Sequence, residues 1–162
     1  MEFAHCVNSP NQIDSNDFES ILKLIVKGGQ VNSQNLSHRL RRADLIAYSK
    51  IANSIVACAV LKNPNPNYKL NVFEKSQSIN SPNEFSLELG YVFTDSNHRG
   101  NGFSSILCNK IVNSKPNANI FATTNVENLP MQKILQKNGF FQSGKEYIGD
   151  YNDKLVLLIK NN

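Results

Sequence analysis

Arg99, Gly100 and Gly102 fall within Glu88-Leu89-Gly90-Tyr91-Val92-Phe93-Thr94-Asp95-Ser96-Asn97-His98-Arg99-Gly100-Asn101-Gly102-Phe103-Ser104-Ser105, a run that reads as a strand, a short polar turn and a helix opened by glycines. Glycine lacks a Cβ, so the backbone at both positions can bend sharply and lie close to a ligand. The amides that begin a helix have no intrahelical acceptor, and the partial positive charge there favours an anion. The Arg99 guanidinium adds a charged fork suited to phosphate oxygens. The chemistry on offer is the cradling of a phosphate or pyrophosphate; the same glycines would serve equally for a sharp bend with no ligand. Glu88 is a carboxylate in a mostly apolar strand, which puts it at an exposed edge, in a pair, or at work as a base. Asn128 precedes a helical run that it can cap.

These residues need elements to hold them. Residues 2–7 read as an edge strand, and residues 14–27 as a helix carrying Phe18, Ile21, Leu22, Ile25 and Val26 at helical spacing, capped by Asp14 or Ser15 and ended by Gly28-Gly29. A shorter helix spans 33–42, with Leu36 and Leu40 inward and Arg39, Arg41 and Arg42 mostly on the other face. Strands follow at 45–50 and 54–61, joined by a hairpin in which Asn53 tolerates positive φ. The breaker Asn63-Pro64-Asn65-Pro66-Asn67 opens a polar insertion reaching Asn83, with one modest apolar piece at 70–73; it reads as a loop that borders a binding site or wanders over the surface. Residues 85–94 form the central strand and 102–112 the helix after it, with Phe103, Ile106, Leu107 and Ile111 buried. A strand at 119–124, a helix from Leu129 or Pro130 to Lys137, and strands at 140–147 and 155–159 complete a mixed α/β pattern. No repeat or linker divides it, so one domain over residues 1–162 is expected.

Arg99-Gly100-Asn101-Gly102-Phe103-Ser104 resembles the Arg/Gln-x-x-Gly-x-Gly/Ala pyrophosphate loop of the GNAT superfamily of N-acetyltransferases, which bind acetyl-CoA, with Ser104 in place of the last small residue. Asn128-x-x-Met131-x-x-Ile134-Leu135-x-Lys137-x-Gly139-Phe140 is similar to a later segment of that family, an Asn followed by a helix that ends in Gly-Phe. The resemblance implies a central, mostly antiparallel twisted sheet of about seven strands, splayed at the strands flanking the CoA site, and about four helices.

It also implies roles. The backbone of Phe93 and Thr94 would pair with the pantetheine arm like an added strand, and an amide near Thr94 would face the oxyanion. Arg99 and the amides of Gly100, Asn101, Gly102, Phe103, Ser104 and Ser105 would hold the pyrophosphate. Asn128 would contact the cofactor while capping its helix, and Asn125 would reach pantetheine or simply make a turn. Glu88, six residues before Thr94, matches the catalytic Glu of some histone-type members and is expected to act as general base. Many members carry a Tyr where this chain has Leu135, so the departing thiolate needs another acid: Tyr147 is the catalytic candidate, with Tyr151 and Tyr91 behind it, or water takes over. A lysine-like acceptor of pKa ~10.4 costs roughly 4–5 kcal/mol to deprotonate at pH 7, and an α-amine near ~7.8 about 1 kcal/mol, so the demand on Glu88 depends on the acceptor.

The expected activity is transfer of acetyl from acetyl-CoA to a primary amine of a small molecule, peptide or protein, by a monomer or homodimer and without a metal. The alternatives are a non-catalytic acyl-CoA-binding protein, motivated by Leu135, and an acetyltransferase toxin acting on aminoacyl-tRNA, motivated by the three arginines. A net charge of +4 and a pI near 9.0 suit an anionic ligand and are too mild to argue for nucleic acid. Cys6, Cys58 and Cys108 are odd in number and have no metal-ligand spacing. No apolar run approaches the ~20 residues of a membrane span, and Met1-Glu2-Phe3-Ala4-His5 lacks the basic flank and apolar core of a leader, so a reducing cytoplasm is expected.

Overall fold

The computed structural model describes residues 2–29 and 32–162, and its chain divides into two compact units: residues up to Lys62 with Leu89–Lys115, and Asn63–Glu88 with Pro116–Asn162. Among the described residues there are eight strands and five α-helices, one more of each than the sequence reading assigns.

The first unit holds strands β1 (Phe3–Asn8), β2 (Leu45–Ile51), β3 (Ser54–Lys62) and residues 89–94 of β4 (Leu87–Thr94), in that order. Its helices are α1 (Ser15–Lys27), α2 (Leu36–Arg41) and α4 (Phe103–Asn113). The β1–β2 and β2–β3 ladders are antiparallel. Asp14 starts α1 by accepting the Asp17 amide at 2.9 Å, and the helix buries Phe18, Ile21, Leu24 and Ile25 against Leu40, Ile46 and Val60. Leu24 takes the inward place expected of Val26, which is exposed. β3 is buried from Val56 to Leu61 because α1 and α4 both pack on it, which is why its sequence is a continuous apolar run. In the β2–β3 turn the positive φ falls on Ala52 (51°) rather than on Asn53. α1 ends at Gly28 for a packing reason: a Cβ there would lie 2.2 Å from the Phe93 ring.

The second unit holds α3 (Pro66–Lys75), the first two residues of β4, β5 (Ile120–Asn125), α5 (Leu129–Lys137), β6 (Phe141–Gln142), β7 (Tyr147–Ile148) and β8 (Lys154–Lys160). β4 pairs in parallel with β5 at Leu87–Ile120 and Glu88–Phe121; β5 runs antiparallel to β8 as far as Asn125–Leu155; β6 and β7 both pair with β8. Phe73, Phe85, Phe121, Leu157 and Ile159 form its core, with the Phe73 and Phe121 rings edge to face at 5.5 Å.

Two sequence expectations are corrected in this unit. The insertion at 63–83 contains a ten-residue helix: the Asn65 side chain accepts the Asn67 and Tyr68 amides, and Pro66 sits in the first turn, so the residues that read as breakers start α3. The strand expected at 140–147 is broken into β6 and β7 around Gly144, which has a φ of +78° and where a Cβ would lie 2.2 Å from the Ser76 carbonyl oxygen.

Candidate active site

In the first unit, β4 delivers Thr94 to a turn built around Asp95. Its carboxylate accepts Lys27 Nζ at 2.9 Å and the Asn97 amide at 3.2 Å, and lies 3.1 Å from His98 Nδ1. The Lys27 and His98 hydrogen bonds hold that carboxyl down at about 2. The Asp95 amide donates to the Val56 carbonyl on β3 at 2.8 Å, and the Asn101 side chain donates to the His98 carbonyl at 2.9 Å. The turn is thereby fixed from both ends.

Gly100 and Gly102 follow at φ +84° and +74°, the left-handed region in which glycine is unstrained, and a Cβ built on either would meet nothing within 4 Å. The space over both glycines is open. α1, α3 and α5 each begin on a side chain that accepts a backbone amide, whereas α4 begins on Gly102 without a side-chain cap. The helix ladder starts with the Ile106 amide on the Gly102 carbonyl at 3.0 Å, so the amides of Phe103, Ser104 and Ser105 precede any intrahelical bond. Phe103 is buried against Phe3 at 5.0 Å, which anchors the first turn by its ring and leaves its backbone for another use. Thr94 Oγ1 lies 2.9 Å from Ser104 Oγ and ties the strand end to the helix start. Arg99 is exposed, and among the described residues its guanidinium has no hydrogen bond or ion pair. These residues fit an anionic group: an uncapped helix N-terminus, two glycines with clear space above them and a guanidinium free to reach it.

β4 carries a kink that the sequence did not announce. Tyr91 has φ +49°, rare for a bulky residue, just before Phe93 and Thr94. Its ring lies under Lys62 Nζ at 4.3 Å and its hydroxyl 3.4 Å from Arg39 Nε.

In the second unit, Glu88 is 2% exposed, so it is no edge carboxylate. Its Oε2 accepts the Tyr68 hydroxyl at 2.7 Å. Tyr147 is buried beside it, and among the described residues its hydroxyl makes no hydrogen bond. Burial first, and then the Glu88 charge, push both phenols well above the ordinary tyrosine range. Tyr68 escaped the sequence reading because it sits inside the insertion taken for a loop; the signal was Asn65-Pro66 followed by Tyr68, Val72 and Phe73 at helical spacing.

Asn125 Oδ1 accepts the Glu127 amide at 2.9 Å and makes a turn. Asn128 caps α5, accepting the Met131 amide at 3.2 Å. Asn128→Ala is therefore expected to lower stability by about 1 kcal/mol in urea denaturation, and Asn128→Ser to restore most of the loss. Leu135 is fully buried on α5, and Tyr151 is 70% exposed. Among the described residues no group of three or more His, Cys, Asp or Glu could hold a metal ion, and no helix is long and apolar enough to cross a membrane.

A strand that runs through a glycine turn into an uncapped helix can hold a phosphate-bearing ligand. The sequence model of the Acetyltransferase (GNAT) family matches residues 27–140, and the chain belongs to that family. Its fold is the mixed α/β GNAT fold, and membership supports acyl transfer from an acyl-CoA. Escherichia coli ElaA superposes with a TM-score of 0.73 at 12% identity, covering 99% of this chain and 100% of its own. An acyl-CoA N-acyltransferase from Pseudomonas aeruginosa gives 0.69 at 11% identity, covering 98% and 99%. A chain of the NatC complex bound to Gag peptide and CoA gives 0.66 at 19% identity, covering 100% and 99%. At these identities the likeness is one of fold. No curated protein matches the sequence at a significant level.

Proposed function

We propose that the protein is an N-acetyltransferase, with residues 1–162 acting as one catalytic domain that moves acetyl from acetyl-CoA to a primary amine of a small molecule, peptide or protein. The observation that carries this reading is the α4 N-terminus, uncapped and framed by Gly100 and Gly102 under open space. The amides from Gly100 to Ser105 and the Arg99 guanidinium hold the pyrophosphate, while the Phe93 and Thr94 backbone takes the pantetheine arm and an amide near Thr94 faces the oxyanion. Asn125 and Asn128 contact the cofactor from the start of α5. Glu88 takes the proton that the amine must lose to attack the thioester carbonyl; as the new C–N bond forms, the C–S bond breaks and the thiolate leaves. Tyr147 is the proton donor to that thiolate. Because burial beside a carboxylate makes this phenol hold its proton, Tyr147→Phe is expected to lower turnover by less than ~10-fold, read as the rate of thiol release. Three free cysteines suit a reducing cytoplasm.

Leu135, buried and without a hydroxyl, favours a second reading: an acyl-CoA-binding protein without catalysis. Two of the three arginines behind the tRNA reading, Arg39 and Arg41, are engaged within their own unit. Arg39 donates to the Gln34 and Asn32 carbonyls, and Arg41 stacks 3.6 Å above Phe18. The deciding experiment supplies acetyl-CoA with a panel of small amines, amino-terminal peptides and lysine peptides, and follows thiol release and acetylated product by mass spectrometry. Amine-dependent release is expected; binding of acetyl-CoA with no release for any acceptor would leave the second reading standing.

A further inference from the structure

We propose that Tyr68 is the positioning residue of the Glu88 base, its hydroxyl donating to Oε2 at 2.7 Å to orient the carboxylate; this rests on the reading of Glu88 given above. Asn65 and Pro66 fix where α3 starts, and the helix then turns Tyr68, Val72 and Phe73 onto the core side that packs with Phe85 and Phe121. Tyr68 therefore arrives at Glu88 on a rigid, packed element. A 2.7 Å O–H···O contact to a carboxylate is a short, charge-assisted bond. Burial and the Glu88 charge raise the Tyr68 phenol, so it stays protonated and acts as a permanent donor.

The facing position on β5 is Phe121, which cannot ionise, and Tyr147 on β7 is buried with a hydroxyl that makes no hydrogen bond among the described residues.

The test compares Tyr68→Phe with the wild type, using the amine that gives fastest thiol release. Loss of the donor leaves the carboxylate free to turn away from the amine, so kcat falls about 10-fold while KM for acetyl-CoA stays unchanged. The same substitution is then made in Glu88→Gln: a residue that acts through the carboxylate has nothing left to orient there, so the double variant turns over at the rate of Glu88→Gln alone. A merely structural loss lowers both backgrounds alike, which separates the two causes. An unchanged kcat in Tyr68→Phe, or a fall in the double variant as large as in the single one, would overturn the proposal. Full turnover in Glu88→Gln would overturn the base assignment and this inference together.

Discussion

Glu88→Gln lowers turnover by about 10²–10⁴-fold and leaves acetyl-CoA affinity unchanged. The substitution keeps the volume of a side chain that is 2% exposed, and the Gln carbonyl can still accept the Tyr68 hydroxyl, so the fold is retained while the basic group is lost. The size of the effect reports the acceptor. A lysine-like amine needs roughly 4–5 kcal/mol to become neutral at pH 7, about a thousandfold, and its reaction falls toward the far end of the range. An α-amine needs about 1 kcal/mol, and its reaction falls toward the near end. The sign of the pH dependence follows: without Glu88 the reaction waits for neutral amine, so the variant's rate rises about tenfold per pH unit until the amine's own pKa, and the defect shrinks as pH increases. Steady-state thiol release from pH 6 to 10 measures it.

Gly102→Glu weakens acetyl-CoA binding by about 100-fold. A carboxylate placed at the mouth of α4 opposes the pyrophosphate, with a like-charge cost of ~1–4 kcal/mol near the surface, and it cancels a helix-terminus attraction of ~0.3–2 kcal/mol; about 2.8 kcal/mol between them corresponds to 100-fold. A side chain at 102 meets nothing within 4 Å, so the variant folds, with the strain of a φ of +74° as its penalty. Gly102→Ala carries the same strain without the charge, and its much smaller loss of affinity in titration calorimetry separates the two causes.

The sequence disclosed what is written locally. Gly100, Gly102 and Arg99 announce their conformation and charge within four residues, and the structure places both glycines in the left-handed region at the helix start. Asn128 announced a cap and is one. What stayed hidden depends on partners far along the chain. Tyr68 meets Glu88 across twenty positions, and no spacing rule links them. Helix α3 was obscured because Pro and Asn end helices as readily as they begin them, and the distinction lies in the apolar residues that follow, Val72 and Phe73. Gly144 read as an ordinary strand glycine, yet the Ser76 carbonyl pressed against it divides the strand there. The positive φ of Tyr91 has no sequence signature beyond the glycine before it.

The most direct measurement is the thermal unfolding midpoint with and without acetyl-CoA. At ~100 times the dissociation constant, binding to the folded state adds about 2.7 kcal/mol, and for a chain of this length the midpoint rises by about 5–10 °C. The same addition moves Gly102→Glu by only about 1 °C, because at a hundredfold weaker affinity it adds about 0.4 kcal/mol. An unchanged midpoint in the wild type at millimolar acetyl-CoA would contradict the claim that the α4 N-terminus is an acyl-CoA site.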